Sequence, residues 1–471
     1  MQMTENSNTT VTAEACAFIE KLRPDDLPDE ALRVARRCIL DGLGLFVAGS
    51  AEHSVQILAA EAADQGGRPD ALVLTRGDTR VPAGLAARVL GTAGHAHDWD
   101  DTQVSRDPRH IYGLLTHPTI PPLVASLVMA QRIGNVSGKA LVTAFVAGVE
   151  VESKISEWML TDHYRKGFHS SATVGTFGAM TAAATLLGLK GDALRHAFGM
   201  AASFAAGLRC NFGTMTKPLH VGRAAENGIT ATLLAAAGFE ADREALDGPW
   251  GFMQVTGGGT YPEKLSQGFG KTWSIADPGV SIKPYPSGIV THQSMDALLA
   301  LVTKHDLAPE NVAEINFFAG SNILNPIRYH VAKDHLQAKF SMAALLSMIV
   351  LARRAGRAEF TDEFVAGKAM QDMQQRVTCT LDPKIEAQGM DVIRSRIEIV
   401  TRTGECLVQE ADERYRGGPD KPFTDAELEE KTAACVAGIF DTARRQALID
   451  AAWGVCELAD AGTLARVIQT G

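Results

Sequence analysis

The sequence has no paired cysteines, no basic tract and no long apolar run, and each absence removes a class of function. Its seven cysteines are scattered with no Cys-x-x-Cys spacing, which argues for a reducing compartment and against a zinc module. Formal net charge is −10 with no Lys/Arg cluster, so neither nucleic acid nor an anionic membrane is an expected partner. The Ala-rich stretch 171–189 comes nearest to a membrane span, and its Gly and Thr content suits a buried helix better. The polar start, Met1 to Thr10, has neither a basic beginning nor an apolar core, so no signal peptide is expected and the protein reads as cytoplasmic. P-loop, Rossmann glycine fingerprint, GxSxG elbow and catalytic-cysteine signatures are missing, which disfavours nucleotide and flavin chemistry. The run Gly257-Gly258-Gly259 lacks the strand-to-helix frame of a phosphate loop and reads as a flexible connection.

What is present is the balance of an ordinary globular protein: 46% hydrophobic and 21% charged residues over 471 positions, enough for two structural units. Apolar residues at Leu32, Ala35, Ile39, Leu43 and Phe46 form a helical stripe over 27–49, opened by Pro28 and closed by Gly49. Further helices are expected at 54–65, from Pro82 to about 95, at 119–133, 137–159, 170–189, 190–207 and 222–238. The first 272 residues therefore read as an all-helical domain with short connections. Residues 273–286, with Pro278, Pro284 and Pro286, read as a linker. Beyond it, 313–318, 377–381 and 391–400 are strand-like, the last meeting a hairpin signal at Thr403-Gly404, and helices are expected at 289–303 and 335–353. Residues 273–415 are thus an α+β domain. Thr424 with Glu427 is a capping-box signature that returns the pattern to helix, so 416–471 is expected to complete the helical domain around an inserted α+β unit.

The chemistry-bearing residues concentrate in 94–118, which holds four of the thirteen histidines. Asp98, Asp100 and Asp101 lie within one tight bend, and like charges so close raise at least one carboxyl pKa, as suits a general acid or base. A solvated turn is the bland alternative. Metal binding ranks below both, because His95 and His97 at i and i+2 do not share a helix face. His117, before Pro118 at a helix start, faces a position that favours an anion. His169, in Lys166-Gly-Phe-His169, reads as a helix cap or a ligand contact. Lys217, before Pro218 in a connection between apolar helices, needs an anionic partner, either a structural carboxylate or a substrate. Lys283, Tyr285, Ser287 and His292 surround a Pro-rich turn in which Gly288 admits close backbone approach.

Four ordered blocks then stand out: His-Asp-Trp-Asp-Asp-Thr at 97–102, Gly-Phe-His at 167–169 with Thr-Val-Gly-Thr-Phe-Gly at 173–178, Thr-Lys-Pro-Leu-His-Val-Gly-Arg-Ala-Ala-Glu-Asn-Gly at 216–228, and Lys-Pro-Tyr-Pro-Ser-Gly at 283–288. Together they resemble the MmgE/PrpD family, which includes 2-methylcitrate dehydratase, cis-aconitate decarboxylase and iminodisuccinate epimerase. The resemblance implies a mainly α architecture, a large helical domain with a smaller inserted α+β lid, a cleft between them, homodimers, and no metal or organic cofactor. It implies proton abstraction next to a carboxylate of a small di- or tricarboxylate. The expected catalytic residues are Asp98, His117, Lys217 and Lys283. Thr102, His169, Tyr285, Ser287 and His292 are the expected substrate contacts. Which of Asp98 and His117 is the base stays open. In cis-aconitate decarboxylase a catalytic histidine follows the lid lysine by five positions, where this chain has Gly288. That departure argues against decarboxylation and leaves dehydration, its reverse or epimerisation open; the expected activity is that of a 2-methylcitrate dehydratase-like hydro-lyase, with an iminodisuccinate-type epimerase or a non-catalytic polycarboxylate binder, to which the departure lends weight, as alternatives.

Overall fold

The computed structural model describes residues 10–103, 115–389 and 392–470. Part of the histidine- and aspartate-rich stretch, including Asp107 and His110, lies outside the described residues, as does Asp391 at the start of the third expected strand. Helices of eleven residues or more are numbered here. They are α1 (Val11–Lys21), α2 (Asp29–Ser50), α3 (His53–Gln65), α4 (Ala83–His95), α5 (Ile120–Ile133), α6 (Gly138–Trp158) and α7 (Ser170–Leu187). They continue with α8 (Gly191–Phe204), α9 (Thr216–Ala236), α10 (His292–Lys304), α11 (Met342–Ala352), α12 (Asp425–Val436) and α13 (Thr442–Trp453).

The helical part is a layered stack with α7 at its middle, packed on α5, α6 and α9, while α9 also crosses α4. Small residues make these crossings possible. A Cβ on Gly222 of α9 would lie 2.3 Å from the Arg88 carbonyl oxygen of α4, and one on Gly91 of α4 would lie 2.8 Å from the Gly222 Cα. The two backbones touch, and the Gly/Ala/Thr composition of α7 serves the same purpose. The apolar core there draws on residues from Leu22 to Ile282 and again from Phe423 to Ile468. The link between those two sets is concrete: Lys431 of α12 forms an ion pair at 2.6 Å with buried Asp41 of α2, and the expected capping box of Thr424 and Glu427 starts α12.

A separate core gathers residues between Tyr285 and Tyr415, with Phe212 added from the helical part. Its sheet comprises β1 (Val312–Ala319), β2 (Val377–Leu381), β3 (Ser395–Thr401) and β4 (Cys406–Glu410) in the order β2-β1-β3-β4. Only the β1–β2 pair is parallel. In β3, Ile397 and Ile399 are buried while Arg396 and Glu398 alternate outward, the period-2 pattern of a strand with one covered face. The architecture is therefore mainly α with an α+β unit.

Several boundaries differ from expectation. Helix α9 begins at Thr216 rather than near 222, so Lys217 and Pro218 lie in a first helical turn and not in a connection. Proline is tolerated there because N–H groups of the first turn have no intrahelical acceptor. The helix expected at 335–353 is two, His335–Ala338 and Met342–Ala352, with Ser341 capping the second through the Ala344 N–H. The glycine run at 257–259 ends a short helix, Phe252–Gly257, with Gly258 in the left-handed region. The stretch read as a linker contains Val280–Ser281, which pairs antiparallel with Thr102–Gln103. Among the described residues no single helix is long and apolar enough to cross a membrane; α2 and α3 pass that test only as a bent pair, and α2 is largely buried in the core.

Candidate active site

The Thr102–Gln103/Val280–Ser281 pairing sets the site, because it lays the aspartate-rich bend alongside the segment that carries Lys283. Helix α4 ends at His95, and the chain then turns through Asp98, whose φ of 52° is left-handed. That turn sends Asp98 toward α9 and the Lys283 segment. Asp98 Oδ1 accepts hydrogen bonds from Lys217 Nζ at 3.0 Å and Lys283 Nζ at 2.8 Å. Lys283 also donates to the Asp98 carbonyl at 2.9 Å. Two ammonium groups from distant parts of the chain thus share one buried carboxylate oxygen. Burial alone would raise the Asp98 carboxyl, but Lys217 and Lys283 outweigh it and hold the group well below the usual carboxylate range. Lys217 itself is lowered by burial, with Asp98 opposing the shift.

Behind Lys217 stands a second pair. Its Nζ lies 2.6 Å from His95 Nε2, and His95 Nδ1 lies 2.8 Å from Asp100 Oδ1. A carboxylate on Nδ1 fixes the proton there, which leaves Nε2 to accept from Lys217. Burial lowers the His95 pKa against the pull of Asp100, consistent with a neutral ring. His97 points elsewhere, with Nε2 near the Ala48 carbonyl and Glu52, so the i, i+2 separation expected from the sequence is what the fold uses.

His117 sits just before α5. Its Nδ1 donates to the Asp101 carbonyl at 2.7 Å, with Thr102 Oγ1 at 3.3 Å, so Nε2 carries the lone pair; it has no hydrogen bond among the described residues and lies 3.9 Å from Asp98 Oδ1. Burial and then Lys283 push its pKa well below the ordinary value, which makes it a neutral base. Of the three aspartates of the bend, Asp101 is raised, to about 7, by burial first and then by Asp100, yet it accepts from Thr119 N and Oγ1 at the start of α5. The perturbed acid expected from the sequence is therefore a helix-start device. His169 occupies the N-cap position of α7 without a side-chain cap. Its Nδ1 meets His220 Nδ1 at 3.0 Å, and its buried Nε2 has no partner among the described residues.

These groups border a cavity of about 50 Å³ lined by Asp98, Thr102, His117, His169, Lys217 and Lys283. Tyr164 and a set of apolar side chains complete it. Tyr285, Ser287 and His292, expected to touch substrate, are not among the lining residues. Tyr285 donates to Asp296 at 2.6 Å, Ser287 bonds Thr291, and His292 lies near the Ser287 carbonyl with its ring edge-on to Tyr285. They brace the turn that delivers Lys283. Sequence reasoning missed His95 as the partner of Lys217 and Asp100 as the partner of His95, and it missed Phe212, Ile327 and Phe340 of the wall. It also missed Lys339, which is buried and donates to the Ala96 carbonyl at 2.8 Å. The histidine and aspartate types were visible, but the wall residues carry no chemical signature.

His95, Asp98, Asp100 and His117 present ligand atoms within 4.8 Å of one another, a set that could hold a cation. The donor set fits one poorly, since the Lys217 ammonium already lies against His95 Nε2 and Asp98 Oδ1.

The MmgE/PrpD N-terminal domain matches residues 13–264 and the MmgE/PrpD C-terminal domain matches residues 285–454. The chain belongs to the MmgE/PrpD family. It is similar to cis-aconitate decarboxylase of Mus musculus, 27% identical over 98% of this chain and 93% of the relative. The Homo sapiens protein of that name is 26% identical over 98% and 95%, and that of Aspergillus terreus 24% over 98% and 97%. A member of this family with lyases as its relatives, the chain is an enzyme of lyase or isomerase type, and the non-catalytic alternative is set aside.

Proposed function

We propose that the protein is a cofactor-independent lyase that removes a proton from the carbon beside a carboxylate of a small carboxylic acid and expels hydroxide from the next carbon. The observation that carries this is the pair of buried lysines on one Asp98 oxygen, 2.8 and 3.0 Å away, with His117 Nε2 3.9 Å from that oxygen. A substrate carboxylate competes with Asp98 for the two ammonium groups, which then hold the charge that develops on deprotonation. His117 Nε2 takes the proton; the negative charge of a bound substrate raises its basicity, because like burial-lowered groups it responds to neighbouring charge. Asp98, whose Oδ1 is taken by both ammonium groups, organises the lysines instead of accepting the proton. The C–H electrons form the C=C bond as the C–O bond breaks, and the leaving oxygen takes a proton from Lys217, whose lowered pKa suits an acid.

Elimination is favoured over cis-aconitate decarboxylation because the position five residues after Lys283 is Gly288. A Cβ there would already lie 3.3 Å from Ile327 Cδ1, so an isoleucine fills the space into which a side chain would point. Incubation of the protein with hydroxy di- and tricarboxylates in deuterated water tests the reading. Exchange beside a carboxylate with loss of water is expected. Exchange with inversion only would replace elimination by epimerisation, release of carbon dioxide would restore decarboxylation, and a thermal shift without exchange would refute proton abstraction.

A further inference from the structure

The cavity has two unlike walls. Besides Asp98, His117 and the lysines, it is lined by the apolar Phe212, Ile289, Val290, Pro326, Ile327 and Phe340, all buried. No arginine is among the lining residues described, and both lysines of the polar wall converge on one point at Asp98 Oδ1. Lys217 stands on the border, with Nζ 5.2 Å from the Phe212 ring centre and 5.6 Å from that of Phe340. Ile327 and Phe340 also close the direction in which a side chain at Gly288 would extend, at 3.3 and 4.0 Å from the added Cβ.

A substrate anchored by carboxylates at the lysines must lay the rest of its skeleton on that apolar wall. Among the described residues those apolar side chains bring no cation of their own, and the nearest, Lys217, is already held by Asp98 and His95, so a further carboxylate laid against them is a costly arrangement. An alkyl arm would instead exchange water for Ile327, Phe340 and Val290. We propose that the substrate is an alkyl-substituted hydroxydicarboxylate of the 2-alkylmalate class, in which an alkyl arm replaces the third carboxylate of a citrate-like acid. This rests on the lyase reading above and names the substrate of that site. Elimination then breaks one C3–H bond and the C2–O bond, forms the C2=C3 double bond and releases water, with no other reactant required.

A matched series tests it. Citrate and 2-propylmalate share the malate core, and they differ in whether the arm ends in a carboxylate or an ethyl group. Water loss and C3-proton exchange in deuterated water are followed for citrate and for 2-methyl-, 2-ethyl- and 2-propylmalate. The expected result is a kcat/KM that rises about fourfold per added methylene until the wall is covered, with citrate at least about tenfold below 2-propylmalate. Ile327→Lys, checked for a native circular dichroism spectrum, should raise citrate relative to 2-propylmalate by about tenfold. If that variant does not fold, the wild-type series decides alone. A flat alkyl series, or citrate faster than 2-propylmalate, overturns the alkyl arm and leaves the lyase reading standing. Absence of exchange on every compound overturns both.

Discussion

Replacing Asp98 by asparagine separates the charge of the site from its shape. Asparagine tolerates the left-handed backbone that Asp98 adopts at φ 52°, so the substitution removes a charge without adding backbone strain. Lys217 and Lys283 would then face each other, both buried, with no anion between them. Removing one partner of a buried ion pair costs about 3–5 kcal/mol, and that is the loss of stability expected for D98N near pH 7. The pH dependence carries more information than the size. Burial already lowers the Lys217 pKa, and Asp98 is the largest influence raising it; without Asp98 it falls further. Between that lowered value and the ordinary lysine pKa of about 10.4 the unfolded chain binds more protons than the folded one, so the stability of D98N rises with pH relative to wild type. Urea unfolding midpoints of both proteins from pH 7 to 9.5 should therefore show a gap that narrows. A gap below about 1 kcal/mol, or one that stays constant with pH, would refute the claim that Asp98 is the anion the two lysines share.

Lys217→Ala should lower turnover by about 10²–10³-fold, the usual effect of deleting one group that stabilises developing charge, while the far-UV spectrum stays native; near-full activity on every accepted substrate would remove the lysine pair from the mechanism. Gly222→Ala forces α4 and α9 apart, since its Cβ would meet the Arg88 carbonyl at 2.3 Å and Thr92 Oγ1 at 2.4 Å. It should cost about 1–3 kcal/mol and also reduce kcat, because α4 ends at His95 and α9 carries Lys217; unchanged kinetics would show that the helix crossing does not set the site. His335 bonds Asp362 at 2.6 Å and approaches Glu52 at 3.3 Å, and its pKa is raised, first by Glu52. The stabilisation from these contacts is complete below the ordinary histidine pKa and is lost as pH rises through the raised one. Hydrogen exchange around Glu52 should accelerate over that range in wild type and not in His335→Asn.

Period and capping made most of the helices and strands legible. The stripe from Leu32 to Phe46 is α2, and the alternation of Ile397 and Ile399 with charged neighbours is β3. Both patterns are local, each produced by one face of one element. Asp98, His117, Lys217 and Lys283 were named from the family's motif blocks, and the fold brings them to one place. The start of α9 was not legible: Lys217-Pro218 reads as a break in a pattern, and only the first-turn tolerance for proline makes it helix. Tyr285, Ser287 and His292 surround Lys283 in sequence, but the turn aims the lysine one way and those three into their own core. The wall was illegible in principle. Ile327 and Phe340 lie more than a hundred residues beyond Lys217, and their types are those of any core position.

The size of the cavity limits how substrate reaches it. At about 50 Å³ the cavity is well below the roughly 300 Å³ at which small-molecule pockets begin. The contacts that border it cross from the helical part to the α+β unit. Lys283 reaches Asp98, Lys339 reaches the Ala96 carbonyl, and His335 reaches Glu52. All three run from a basic group of the α+β unit to an oxygen of the helical part. On the proposed reading Asp98 holds the place at the lysines that a substrate carboxylate would take, so the two ammonium groups keep an anionic partner throughout. Binding is then an exchange of one carboxylate for another rather than the burial of a new charge pair. The desolvation cost that would oppose closure over a charged ligand has largely been met in the folded protein, and what remains for the ligand to stabilise is the covering of its skeleton by Phe212, Ile327 and Phe340.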